Sequence, residues 1–271
     1  MQDFFSSNGK DIKPVTIGIA VICNDGVVIG ADRKVIMERG TRIKSLENKV
    51  FTLSFRDKKK FLICVAGTFD HAKRAMNEIS PWNIDTLDCG SYRDMIESNI
   101  SHLRWKLSQK GLTYDATLLF GMIDRGVPVI GHIMPSALVE LKYDGYFTAG
   151  IAASYAEMVL KDSYSKNTTI MDTKLIIGGL IEKIGKVDDD VEGMNVFSIS
   201  TTDETIEGLT WEERNAIISE DSFSFDLKQN LPAVKANIKY WTDLLEKAES
   251  KREMKQEIKE QIEDKSAHTD S

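Results

Sequence analysis

The sequence predicts an α+β fold, a four-layer αββα sandwich in which two antiparallel sheets pack face to face and helix pairs flank them. Three observations point there. The chain opens with hairpin-linked apolar strands, continues with two helical segments, then repeats strands and a helix pair before a closing strand. Helices and strands therefore come in blocks, which argues against a doubly wound parallel sheet, where they alternate singly. Apolar residues make up 42% of the 271, enough to fill such a core.

Each element follows from a local pattern. Residues 1–15 are polar and turn-rich up to Pro14 and carry no core of their own. Residues 17–24 are nearly continuous apolar, Asn24-Asp25-Gly26 signals a hairpin turn, and 27–31 return as the second strand. A loop around Arg39-Gly40 leads to a third strand at 49–55, and the charged stretch 56–60 turns the chain into 61–66. Helices are expected at about 68–80 and 91–110; in the second, Met95, Ile96, Ile100, Leu103 and Leu107 recur at helical spacing. Strands are expected next at 116–123, 128–134 and 138–143. Helices at about 152–164 and 169–185 are split by Lys166-Asn167, and a strand at 194–200 closes the fold.

Beyond Glu220 the character changes. Residues 231–263 read as a long helix with Ile238, Trp241 and Leu245 on one face, then Met254, Ile258 and Ile262, in a stretch crowded with Glu and Lys. It either lies solvated on the surface or packs on a partner subunit. The resulting organisation is a leader-like segment at 1–15, a domain at 16–227 and a C-terminal helical extension at 228–271.

Charge and composition exclude several functions. A net charge of −7 argues against a nucleic-acid or anionic-membrane surface, because both reward clustered Lys and Arg. No apolar stretch is long enough to span a bilayer and no signal-peptide pattern opens the chain, so cytoplasm is the expected compartment. Cys23, Cys64 and Cys89 are widely spaced with no CxxC pair; the first two sit in strand patterns and read as small core residues. His71, His102, His132 and His268 show no metal-ligand spacing.

The residues that carry chemistry lie early. Thr16 heads the first apolar strand, Asp32 ends the second, and Lys49 comes later in Glu47-Asn48-Lys49-Val50-Phe51. A threonine at a chain's N-terminus is a workable nucleophile because its own α-amine serves as the general base, and a buried lysine can tune local proton affinity. Val65-Ala66-Gly67 ends a strand and precedes a helix. In order and spacing, with the Asp32–Lys49 gap one residue longer than usual, these segments resemble the proteasome-type branch of the N-terminal-nucleophile (Ntn) hydrolases. The resemblance covers roughly residues 14–205.

The resemblance implies the same four-layer fold and a set of roles. Thr16 falls on the nucleophile, Asp32 on the acid that pairs with the lysine, Lys49 on that lysine and Gly67 on the oxyanion-hole residue. Val65 falls at the base of the substrate pocket and Phe69 on its wall; a core position for Phe69 on the helix start is the alternative. Asp188 aligns with a later acid of the family, Asp189 nearly as well; Asp188-Asp189-Asp190 otherwise reads as a solvated turn. Three departures stand out. Val15, preceded by Pro14, replaces the glycine usual before a self-cleaved nucleophile. The family's Ser-Gly pair falls on Ile151-Ala152, and the later Asp-x-x-Ser-Gly stretch ends in Val191-Glu192-Gly193 without the serine.

Together these residues and the resemblance imply a proteasome-like threonine-type peptidase, acting on peptide or unfolded-protein substrates in a homo- or hetero-oligomeric ring. An ATPase partner that feeds the ring is compatible with this reading. The chemistry requires neither metal nor organic cofactor. Two alternatives stay open, because silent ring-forming subunits of the same family share the Thr, Asp and Lys: a noncatalytic structural subunit, and an Ntn amidohydrolase or transpeptidase acting on a specific peptide.

Overall fold

Why the first strands read as continuous apolar runs becomes clear from what lies on each side of them. In the computed structural model, which describes residues 17–39, 41–54, 60–79, 89–188 and 191–219, β1 (Gly18–Cys23) and β2 (Gly26–Asp32) are buried along their whole length. Side chains alternate between two cores, as strand geometry requires. Ile19, Val21, Cys23 and Val28 face helices, whereas Ala20, Ile22, Val27, Ile29 and Ala31 face a second sheet. No face of these strands meets water, so no polar alternation is left in the sequence.

Seventeen elements are described. After β1 and β2 come β3 (Lys34–Arg39), β4 (Thr41–Leu46), β5 (Val50–Ser54), β6 (Lys60–Ala66), α1 (Phe69–Ile79) and α2 (Cys89–Ser108). A second block holds β7 (Thr117–Asp124), β8 (Val127–Ile133), β9 (Val139–Lys142), β10 (Tyr146–Ala149), α3 (Ala153–Ser163) and α4 (Ile170–Val187). The described part ends with β11 (Met194–Ser200), β12 (Ile206–Gly208) and α5 (Trp211–Ser219). One antiparallel sheet has the order β10-β1-β2-β11-β12 and the other β5-β6-β7-β8-β9.

The sheets pack on each other through a middle core that includes Ala20, Ile29, Leu62, Cys64, Leu119 and Ile130. Outside it, α1 and α2 cover the second sheet around Phe61, Ile63, Tyr92, Ile100 and Phe120. The first sheet is covered by α3, α4 and α5 around Leu175, Ile177, Leu180 and Val196. This is the four-layer αββα arrangement that the block pattern predicts. Fully burying each such side chain is worth about 1.5–3 kcal/mol, so the three cores dominate stability. The sheets lie so close that a Cβ at Gly121 would stand 2.4 Å from Val27 Cγ1.

Several expectations need correction. Residues 34–46 form no simple loop: β3 and β4 pair from Lys34↔Leu46 to Arg39↔Thr41 as a separate two-stranded ribbon. Nearly the whole Asp32–Lys49 interval is therefore a hairpin, and Lys49 immediately precedes β5. The hairpin between β1 and β2 turns on Asn24 and Asp25, with Gly26 already paired to Cys23. β11 does not close the fold, since β12 pairs with it and α5 packs beyond it. β10 and β12, at four and three residues, are too short to leave a periodic signal. Thr16, residues 1–15, Asp189, Asp190 and the helix expected at 231–263 lie outside the described residues.

Of these missed elements, α5 did carry a signature. The Thr210 hydroxyl accepts from Glu213 N–H at 3.2 Å, and Glu213 Oε2 accepts from Thr210 N–H at 2.7 Å. This reciprocal capping box follows from Thr-x-x-Glu at 210–213. Glu213 also meets Lys174 of α4 at 3.2 Å with both side chains buried, which locks α5 onto its neighbour.

Candidate active site

The geometry is built around one carboxylate. Asp32 at the end of β2 is fully buried, and its two oxygens take three donors. Oδ1 accepts the Ile17 N–H at 2.9 Å; Oδ2 accepts the Lys34 N–H at 3.0 Å and the Lys49 ammonium at 2.8 Å. The Asp32 N–H in turn donates to the Ile17 carbonyl at 3.3 Å. A buried carboxylate without such donors would be costly, so the sequence position of Asp32 demands this cage. Its consequence is that the residue directly after Thr16 is fixed to the acid from both of its backbone polar groups.

Lys49 is only 3% exposed. Burial pushes its ammonium below the ordinary lysine range, and the attraction of Asp32 works against that shift. The same burial pushes Asp32 up, opposed by Lys49 and by the two backbone donors. Burial thus works against the charged form of both groups, and their mutual attraction works for it. Lys49's carbonyl accepts the Val65 N–H at 3.0 Å, so the lysine is also tied to the strand that leads into Gly67.

Gly67 lies in the bend between β6 and α1 with φ +91°. A Cβ there would meet the Asp115 carbonyl oxygen at 2.4 Å, so both conformation and space require glycine. Two residues earlier, Val65 is 2% exposed and belongs to the core under α1. Phe69, the first residue of α1, is half-buried against the same core, with the Lys73 ammonium 4.5 Å over its ring. Beside this bend, the Thr68 hydroxyl donates to Asp115 Oδ2 at 2.8 Å and His71 Nδ1 lies 3.0 Å from Asp115 Oδ1.

The model for proteasome subunits matches residues 15–196, most of the chain. The chain belongs to the proteasome subunit family. Among solved structures it resembles the Anbu (Gly-1) mutant from Hyphomicrobium sp. strain MC1, at TM-score 0.61 and 14% identity over 87% of this chain and 97% of that one. Anbu (ancestral beta-subunit) from Yersinia bercovieri superposes at TM-score 0.62 and 13% identity, covering 86% and 97%. At these identities the likeness speaks for the fold. A search of curated proteins returned no match.

As a proteasome-family chain it carries its departures in telling places. Asp188 caps the C-terminus of α4: its N–H donates to Ile184 O at 2.8 Å, and its carbonyl accepts from Val191 N–H at 3.0 Å. The loop then returns to the end of β2, where Glu192 O accepts the Arg33 N–H at 2.9 Å. Glu192 reaches the buried Lys34 ammonium at 3.0 Å. Neither the Lys34 side chain nor Asp115 announces itself in sequence, since the Lys34 ammonium meets Glu192, and Asp115 meets Thr68 and His71, through tertiary contacts. Ile151 is 47% exposed, and Ala152, at the N-cap of α3, offers no capping side chain.

Proteasome-type proteins typically form oligomeric assemblies. Among the described residues no helix is long and apolar enough to cross a membrane.

Proposed function

We propose that this chain is a proteasome-like threonine peptidase whose nucleophile is Thr16. One observation carries the reading: the buried Asp32 holds Ile17, the residue after Thr16, and the Lys49 ammonium on one carboxylate. The Asp32 N–H to Ile17 carbonyl bond continues the β1–β2 ladder. The Ile17 N–H on the carboxylate adds the contact that ties the acid to the residue after Thr16. In the proposed reaction, residues 1–15 are removed and the free α-amine of Thr16 takes the proton of its own hydroxyl. The hydroxyl oxygen attacks the peptide carbonyl, Gly67 N–H stabilises the oxyanion, and the amine leaving group departs with the proton. Water then hydrolyses the acyl-enzyme ester. Lys49 sets the electrostatics together with Asp32, and Asp188 supports the site from the loop after α4. Val65 and Phe69 form the base and wall of the side-chain pocket.

The domain is then 16–227, behind a removable leader and ahead of a C-terminal helical extension at 228–271. Peptides or unfolded proteins are the substrates, in the cytoplasm, within a ring that an ATPase could feed. The competing reading, a noncatalytic subunit, draws support from Ile151-Ala152, where the family's serine hydroxyl is missing, and from Val15 in place of glycine. Thr16→Ala separates the two. The variant should lose peptide hydrolysis and retain residues 1–15, whereas undiminished hydrolysis excludes the threonine mechanism.

A further inference from the structure

Asp115 precedes β7 and lies against the bend that carries Gly67. Three contacts converge there. Its carbonyl oxygen occupies the space beside Gly67 that any Cβ would enter. Its carboxylate takes the Thr68 hydroxyl at 2.8 Å on one oxygen and faces His71 Nδ1 at 3.0 Å on the other. The neighbouring Tyr114 ring stacks on His71 with centroids 6.0 Å apart. Thr68 is the residue whose carbonyl accepts the first helical hydrogen bond of α1, from Ala72 N–H at 3.0 Å.

We propose that Asp115 is a positioning residue that fixes the direction of the Gly67 amide by clamping the residues on its C-terminal side, Thr68 and His71. The inference rests on the reading of Gly67 as the oxyanion donor. A glycine with positive φ has no side chain of its own to hold its peptide plane, so the plane must be set from outside. Core contacts position β6 before the bend, because Ala66 and Val65 are buried in it. After the bend, the clamp is provided by polar side chains: Thr68 and His71, one helical turn apart, grip the same carboxylate from the same face. An amide aimed at developing charge helps only if it is already aimed before the charge forms.

The test uses Asp115→Ala, Asp115→Asn and Thr68→Val in the full chain, with the assembled wild-type protein alongside. Amide hydrogen exchange over residues 66–72 should rise roughly tenfold or more in Asp115→Ala, with β7 and β8 unchanged. Peptide hydrolysis should show kcat reduced roughly ten- to hundredfold with KM within about twofold, and Asn should fall between Asp and Ala. The loss in Thr68→Val should not add to that in Asp115→Ala, since both open the same clamp. Unchanged exchange in Asp115→Ala overturns the proposal. Faster exchange with undiminished kcat also overturns it, because the clamp would then not orient the amide. A wild-type protein that hydrolyses nothing overturns the peptidase reading instead, and the exchange result alone then decides whether Asp115 sets the bend.

Discussion

Lys49 Nζ lies 2.8 Å from Asp32 Oδ2 in a setting where the lysine is 3% exposed and the aspartate fully buried. Removing either partner leaves an uncompensated buried charge, which costs about 3–5 kcal/mol. Lys49→Ala should therefore lower stability by that amount and abolish hydrolysis. Lys49→Arg keeps a charge against Asp32 but cannot release a proton near neutral pH. It should recover part of the stability and none of the activity, as read from denaturant midpoints and peptide turnover. A folded, fully active Lys49→Arg protein would count against proton handling by Lys49.

The Lys174–Glu213 pair gives a prediction about architecture alone. Glu213 caps α5 through Thr210 and neutralises Lys174 at the same time. Glu213→Ala should cost about 3–5 kcal/mol, since it strands a buried ammonium and opens the cap. Lys174→Met with Glu213→Gln, which removes both charges, should recover most of that loss in urea unfolding.

Phe69 offers a ring of which one part packs on the core and another remains accessible. Phe69→Ala should lower stability by about 1–3 kcal/mol, less than a fully buried Phe would. It should also widen the accepted substrate side chain, because each methylene in such a pocket is worth about 1–3 kcal/mol. A peptide library read beside melting curves checks both. A lower melting point with an unchanged ranking would assign the ring to the core only.

His132 on β8 predicts an acid-sensitive component of stability. Burial, with Lys142 nearby, pushes its pKa below the ordinary 6.5, while Glu140 works in the opposite direction. The folded state therefore binds fewer protons than the unfolded state just below pH 6.5, so stability falls as pH drops through that value. Above it the contribution is flat. His132→Gln should flatten the slope of the urea midpoint between about pH 7 and 5; an unchanged slope would exclude His132 as its source.

Legibility in the sequence divides along physical lines. β1, β2 and β6 are legible because burial on both faces writes long apolar runs. The 34–46 hairpin is not, because the sequence of this ribbon outside both main sheets carries charges such as Lys34, Glu38 and Arg42 instead of a core pattern. α5 is legible in principle from Thr210 and Glu213, but its apolar face is brief. The site residues Asp32, Lys49 and Gly67 stand out through spacing and resemblance. The Lys34 side chain, Glu192 and Asp115 do not, since Lys34 meets Glu192 across 158 residues of chain and Asp115 meets Thr68 and His71 across 47 and 44, with no local rule linking them.

Intact-mass measurement after incubation with a peptide bearing an electrophilic carbonyl tests most directly whether Thr16 becomes an N-terminal nucleophile served by Lys49 and Asp32. A chain that begins at Thr16 and carries one adduct on that residue is expected, with no adduct on Lys49→Ala. A chain that retains residues 1–15 and remains unmodified would contradict the threonine mechanism.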